Sequence, residues 1–386
     1  MDPLKAILGF DEWTGKPYAL FSMHTLLVLG GILVLLAADV GERFTFKLMV
    51  DRMESYRYFL MQISTFLYIP PMFCIVGYKA TQSDFIDEEV NEFPKYKFFI
   101  MAMLDLCHAV LLFIPGGKTP PALTVIFLQA TIPCTMLFGT LFYDYQYSRM
   151  QLVGGILMTS GLLLGILPLL LLLTSDVFEE AEMAWHSLCY LLAAVPASFS
   201  LLYKEQALAP QPMDVYYLNA WVAVYQFIGG LLLAPLIFDV PSLHLDQRIS
   251  GLECLINGVS EVRTDKCHLG LAVLLAFLVS KVALFYGVGF LLNHTSVSVV
   301  YASFTLALPL GFTVLEAYQS TGQSDEVDVT TASWMYYLSF GVVLLGLIIY
   351  RMTPEPQTEA TTRSAAEKEA VSLLDESSDS GLRYMT

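Results

Sequence analysis

Charge is what this sequence has least of. Only 15% of its 386 residues are Asp, Glu, Lys or Arg, against about 25% in a typical soluble domain. Too little charge remains to cover an ordinary water-facing surface. Histidine is scarce too, at six residues. They are scattered, with no His-Glu-x-x-His pair and no Cys–His nucleophile arrangement, which argues against an intramembrane enzyme. No set of residues calls for a cofactor or a metal. No cluster of Lys and Arg offers a surface to nucleic acid. The first apolar run, residues 20–38, has no small-residue cleavage site and is too long for a signal peptide, so it reads as a retained helix. The short N-terminus also lacks the Ser-rich, acid-poor character of a plastid transit peptide.

What is present instead is hydrocarbon: 56% of the residues are apolar. Runs of about 20 recur, the length that crosses a bilayer core. The spacing predicts an all-α membrane protein with ten spans near 20–48, 58–78, 97–115, 121–143, 149–173, 183–205, 214–238, 269–291, 295–317 and 332–351. Around this 20–352 domain lie a short interfacial segment, 1–19, and a disordered acidic tail, 353–386. Residues 79–95 read as an acidic surface helix. The longest loop, 239–268, holds Cys254 and Cys267. In an oxidising lumen that pair would form a disulfide; otherwise it is two free thiols or half of a metal site. Ten spans put both termini on one side. Lys and Arg favour the cytosol for them only weakly, and the cysteine loop, read as lumenal, points the same way.

Ten divides into two sets of five, 20–173 and 183–352. An odd number per half makes an inverted repeat. A shift of 176 lays Pro133 on Pro309, Gln129 on Thr305 and Asp105 on Lys281. Gln129 and Pro133 sit inside the apolar run TVIFLQATIPCTMLF, where an amide and a helix breaker are costly. The expectation is a pair of bent helices lining a cavity; the alternative is two kinked packing helices.

Asp105 is the first candidate for coupling or substrate contact, because an ionisable side chain in a span usually faces a cavity or a partner. His108, three residues on, shares its face. Lys281 is the cation most clearly inside a span, and an Asp105–Lys281 ion pair is the structural alternative. Asp39, Glu42 and Arg43 share one face of span 1, lining either a cavity mouth or an intrahelical salt bridge. Gln62, Tyr68, Gln129, Thr131, Thr135, Asn219, Tyr225, Gln226, Ser303 and Thr305 are expected to divide between cavity wall and interhelical hydrogen bonds. Gly161 and Gly165 form a GxxxG pattern that favours close packing.

Two blocks carry a resemblance. FFIMAMLDLCHAVLLFI, 98–114, and LTVIFLQATIPCTMLFGTLFYDYQYSRMQLVGGIL, 123–157, resemble the chloroquine-resistance-transporter family of the drug/metabolite transporter superfamily. YRYFLMQISTFLYI, 56–69, and GLECLINGVSEVRTDKCHLG, 251–270, are similar to its second span and its lumenal loop, the latter with two cysteines where parasite members have four. The resemblance implies proton-driven, alternating-access export of small organic solutes from an acidic vacuole or endolysosome: amino acids, short peptides, glutathione-like thiols or cationic drugs. It also implies an Asp at position 105 and a passage-controlling site at Arg43. The expected partners are solute, protons and membrane lipid, with the chain a monomer or weak dimer. Glu369, Leu373 and Leu374 match an acidic dileucine signal that a sorting adaptor would read. Two rivals remain. A nucleotide-sugar or phosphate-ester exchanger would need more cavity cations than Lys281 and Arg43. A non-transporting receptor would not need paired proline helices.

Overall fold

The computed structural model describes residues 23–82, 93–115, 119–172, 178–208, 213–237, 245–259, 266–295, 297–320 and 333–352. The interfacial segment, the acidic loop centre at 83–92 and the tail with Glu369, Leu373 and Leu374 lie outside them. Everything regular among the described residues is helical. In chain order the α-helices are α1 Met23–Arg52, α2 Arg57–Gln82, α3 Lys95–Phe113, α4 Pro121–Leu128, α5 Thr131–Tyr143, α6 Arg149–Leu172 and α7 Phe178–Leu192. There follow α8 Ala194–Leu208, α9 Val215–Ile237, α10 Leu245–Asn257, α11 Gly270–His294, α12 Val297–Ser320 and α13 Ser333–Arg351. Eight helices among the described residues, two of them counted across a break, are long and apolar enough to cross a membrane. This is a multi-pass membrane protein. α1 and α12 stand outside that count. α1 runs to 30 residues, about 45 Å at 1.5 Å per residue, and carries Asp39, Glu42, Arg43 and Lys47 within it.

Helices break where the sequence denies them a hydrogen bond. α4 and α5 part at Gln129 and Ala130, and Pro133 follows in the first turn of α5. Without an N–H, Pro133 leaves the Gln129 carbonyl short of its helical donor. That carbonyl takes the N–H of Ile132 at 3.2 Å instead. α7 and α8 part in the same way at Ala193, with Pro196 three residues on. This second break was not among the expected ones. The two stretches, ATIP at 130–133 and AAVP at 193–196, share one spacing. α12, by contrast, runs unbroken through Pro309. The expected matched bend at 133 and 309 is therefore an interruption in one helix and a tolerated proline in the other.

The most extensive packing joins α6 to α13, α1 to α11 and α2 to α9, followed by α1 to α12, α3 to α9, α3 to α8, α5 to α8 and α4 to α12. The α6–α13 seam is built on absent side chains. A Cβ added to Gly154 would lie 2.8 Å from the Gly346 carbonyl and 2.8 Å from the Tyr350 nitrogen. A Cβ added to Gly161 would lie 2.9 Å from the Val343 nitrogen. In lipid, where tails are as apolar as side chains, such backbone approach supplies the dispersion contacts that hold helices together. Gly165 adds a seat for the Ser339 hydroxyl side chain.

α10 and the chain after it cover one end of the bundle. Cys254 and Cys267 form a disulfide there. Gly258, at φ 70°, makes the left-handed turn between them. Arg52 donates to the His268 carbonyl, and the Lys266 N–H reaches the Arg52 carbonyl at 3.0 Å, so this loop is tied to the end of α1.

Replacing Gly154 or Gly161 by Leu should force α6 and α13 apart and destabilise the protein by about 1–3 kcal/mol or more, the cost of overpacking. Gly341→Ala on α13 meets nothing within 4 Å and should be neutral or slightly stabilising. Thermal unfolding of the detergent-solubilised variants would check both, and equal effects at Gly154 and Gly341 would refute the seam.

Candidate functional site

Between these helices lies a cavity of about 460 Å³. Its wall comes from α1, α2, α3, α4, α7, α8, α9 and α11, so both halves of the chain build it. Of the coupling candidates, Asp105, His108 and Lys281 all line it, as do Asp39, Glu42 and Arg43. Of the ten polar candidates only Tyr68, Asn219 and Gln226 do.

The others are used elsewhere. Gln62 packs against Gly230. Gln129 ends α4, nearly buried. The Thr131 carbonyl takes two hydroxyls, from Thr135 at 2.7 Å and from Ser198 at 3.0 Å. Tyr225 stacks among Phe99 and Trp221. Ser303 donates to the Val299 carbonyl at 2.8 Å. Thr305 accepts from Arg351 at 2.8 Å. A polar residue in an apolar run must satisfy itself somewhere, and a backbone carbonyl one turn away is the nearest solution.

Asp105 is held from α8, and Lys281 takes no part. The Lys204 ammonium lies 2.7 Å from Asp105 Oδ2, and Ser200 donates to Oδ1. The Asp105–Lys281 ion pair set out as the structural alternative is therefore absent. The fixed offset relates their helices by repeat, but repeat-related positions need not touch. Ser200 and Lys204 stand one turn apart on α8, a spacing that could have flagged them. Lys204 lies at the end of the span expected at 183–205, where a cation is usually just interfacial. His108 serves the helix break: its Nδ1–H donates to the Ala193 carbonyl at 2.8 Å, leaving Nε2 as the acceptor. Ser198 does the same for the other break through the Thr131 carbonyl. Each broken helix is thus stitched by a neighbour, as backbone at membrane depth requires.

α1 carries the densest charge. Arg43 grips Asp39 with two hydrogen bonds, at 2.9 and 3.0 Å. This is the intrahelical salt bridge, formed inside the cavity wall, so the two readings of that face hold together. Lys47, almost fully buried, lies 3.0 Å from Asp51 and donates to the Thr119 carbonyl at 2.8 Å. Tyr318 donates to the other Asp51 oxygen at 3.2 Å. Beside Lys47, Phe46 meets Phe113 edge-on at 5.1 Å.

Four cations line the cavity: Arg43, Lys47, Lys204 and Lys281. This corrects the expectation of one or two. Three of them hold a carboxylate at 2.7–3.0 Å. Among the described residues Lys281 holds none; its ammonium lies 4.9 Å from the Tyr68 ring centre and 5.6 Å from that of Phe277. No three His, Cys, Asp or Glu among the described residues group as a metal site.

A multi-pass helical bundle around a charged, solute-sized cavity defines the class: a membrane transport protein. A family model described as CRT-like, chloroquine-resistance transporter-like, matches residues 27–350. Among similar curated proteins, Crt homolog 1 of Dictyostelium discoideum is 27% identical, over 86% of this chain and 75% of its own. The chloroquine resistance transporter of Toxoplasma gondii is 27% identical over 86% of this chain and 39% of its own. That of Plasmodium falciparum is 24% identical over 63% of this chain and 57% of its own. The chain belongs to the chloroquine-resistance-transporter-like family, which confirms the resemblance read from its spans.

Asp105→Asn should strand the Lys204 charge and destabilise the fold. Breaking a fully buried pair costs about 3–5 kcal/mol; this pair keeps 23% and 26% side-chain exposure, so on the order of 1–3 kcal/mol is expected. Lys204→Met should cost a similar amount. The double variant should cost clearly less than the sum, as residues in contact do. A thermal-unfolding cycle of the four proteins checks this, and strict additivity would rule the pair out.

Proposed function

We propose that the protein is a proton-coupled secondary transporter that moves small organic solutes, amino acids or short peptides first among them, out of an acidic vacuole or endolysosome by alternating access. The cavity carries this reading, since its charged wall is shared between the two halves of the chain. The reading takes ten spans, α4–α5 and α7–α8 each forming one broken span, arranged as an inverted repeat. Helix packing supports the repeat. Exchanging each span with the one five places on turns α1–α11 into α3–α8, α1–α12 into α5–α8 and α3–α9 into α2–α11, while α6–α13, α2–α9 and α4–α12 map onto themselves. A repeat of that kind lets one set of helices rock against the other around a fixed site.

In this reading both termini face the cytosol and the Cys254–Cys267 loop faces the lumen, where its disulfide is chemically at home. Glu369, Leu373 and Leu374 would then offer a dileucine signal to a cytosolic adaptor. Cysteine-free lumenal ends would remove one argument for this orientation, not the cavity.

The exchanger of nucleotide-sugars or phosphate esters gains from the four cavity cations. Pairing weighs against it. Arg43, Lys47 and Lys204 are already neutralised by Asp39, Asp51 and Asp105, which leaves Lys281 to meet an anion. One lysine suits one carboxylate better than a phosphate pair.

Reconstituted into proteoliposomes with an imposed pH gradient, the protein should accumulate one class from a panel of labelled amino acids, short peptides and glutathione. Collapsing the gradient should abolish the accumulation. A folded protein that moves none of them, but exchanges a phosphate ester, would establish the rival.

A further inference from the structure

Two charges in the cavity are left over once the ion pairs are assigned. Among the described residues, no salt bridge or side-chain hydrogen bond engages the carboxylate of Glu42 or the ammonium of Lys281. Both line the same cavity, and of the cations there Lys281 bears on Glu42 more strongly than Arg43 does. A third group beside them is also unsatisfied. Tyr68 is 5% exposed, lines the cavity, and its hydroxyl has no hydrogen-bond partner among the described residues. A buried hydroxyl without a partner is costly and rare, and here its ring lies against the Lys281 ammonium. Glu42 comes from α1, Tyr68 from α2 and Lys281 from α11, so three helices bring these groups to one cavity.

Resting on the transport reading above, we propose that Glu42, Lys281 and Tyr68 form a proton-linked carboxylate subsite. With Glu42 ionised, its negative charge offsets Lys281 and repels an entering carboxylate. When Glu42 takes a proton, Lys281 becomes an uncompensated cation. It then receives the carboxylate of a small organic solute, and Tyr68 donates its hydroxyl to the same group. The proton and the carboxylate cross together. On the far side Glu42 loses its proton, the two negative groups repel, and the solute leaves.

The other cavity carboxylates are less suited. Asp39 and Asp105 each hold a cation at 2.9 and 2.7 Å, and protonating either breaks an ion pair, whereas protonating Glu42 breaks none. The groups facing Glu42 are Lys281 from α11, Tyr68 from α2, and Asp39 and Arg43 on its own helix. α12 also packs on α1; of its described titratable side chains, Tyr318 engages Asp51 and Glu316 engages Tyr337.

Two measurements on the full chain test this. In proteoliposomes, leucine, a leucyl dipeptide and glutathione are each compared with the matching C-terminal amide under an acid gradient. The wild type should accumulate the carboxylate form and not the amide. Glu42→Gln should let the carboxylate form equilibrate but lose gradient-driven accumulation, Glu42→Asp should restore part of it, and Lys281→Met should lose uptake. Without any solute, infrared difference spectra on acidification should show a protonated-carboxyl band that Glu42→Gln removes and Asp105→Asn keeps. Accumulation surviving in Glu42→Gln, or the band surviving there and vanishing in Asp105→Asn, would overturn the proposal. If the wild type moves no carboxylate, the transport reading fails, while the band still decides whether Glu42 is the group that takes the proton.

Discussion

A charge inside a membrane protein must find a partner or face water, and that constraint organises this structure. α1 brings Asp39, Glu42, Arg43, Lys47 and Asp51 into the bundle on one helix. Removing an ion from water costs several kcal/mol even after relaxation, so each has to be answered locally. Arg43 answers Asp39 one turn away, and Lys47 answers Asp51 in the same manner. Asp105 on α3 finds Lys204 on α8. These pairs fix the cavity wall at near-neutral charge. What they leave, Glu42 and Lys281, is where an incoming solute or proton has electrostatic leverage.

The backbone obeys the same rule. A carbonyl freed by proline inside hydrocarbon costs as much as any other orphaned polar group. At the two broken helices, neighbouring side chains donate to backbone carbonyls. His108 donates to that of Ala193, and Ser198 to that of Thr131. His108 therefore has a structural duty on one ring nitrogen, and only the other can reach a solute. Elsewhere the packing is close: the glycine seam brings α6 and α13 together backbone to backbone.

Much of this was legible in the chain itself. Runs of about 20 apolar residues marked the helices, because hydrocarbon thickness sets their length. The low share of charged residues, 15%, marked a membrane protein. Intramembrane Asp105, His108, Lys281 and the Asp39–Glu42–Arg43 face were visible because such residues are expensive, and all of them line the cavity. Uncharged polar residues were harder to read. Thr131, Thr135 and Ser303 bond to their own helices, which no periodicity distinguishes from facing a cavity. The break at Ala193 escaped notice although Pro196 repeats the spacing of Pro133.

What the sequence determined by itself is the inventory: which segments form long apolar helices, and which residues are charged within them. Those follow from local chemistry, from run length, propensity and the cost of each group in lipid. Pairing was decided only by the tertiary structure. Asp105 might have met any of four cations, and it meets Lys204 because α3 packs on α8 while α11 packs on α1. Ion pairs act over a few ångströms between helices far apart in the chain, so linear order cannot specify them. Which charges remain free at the cavity follows from the packing of helices alone.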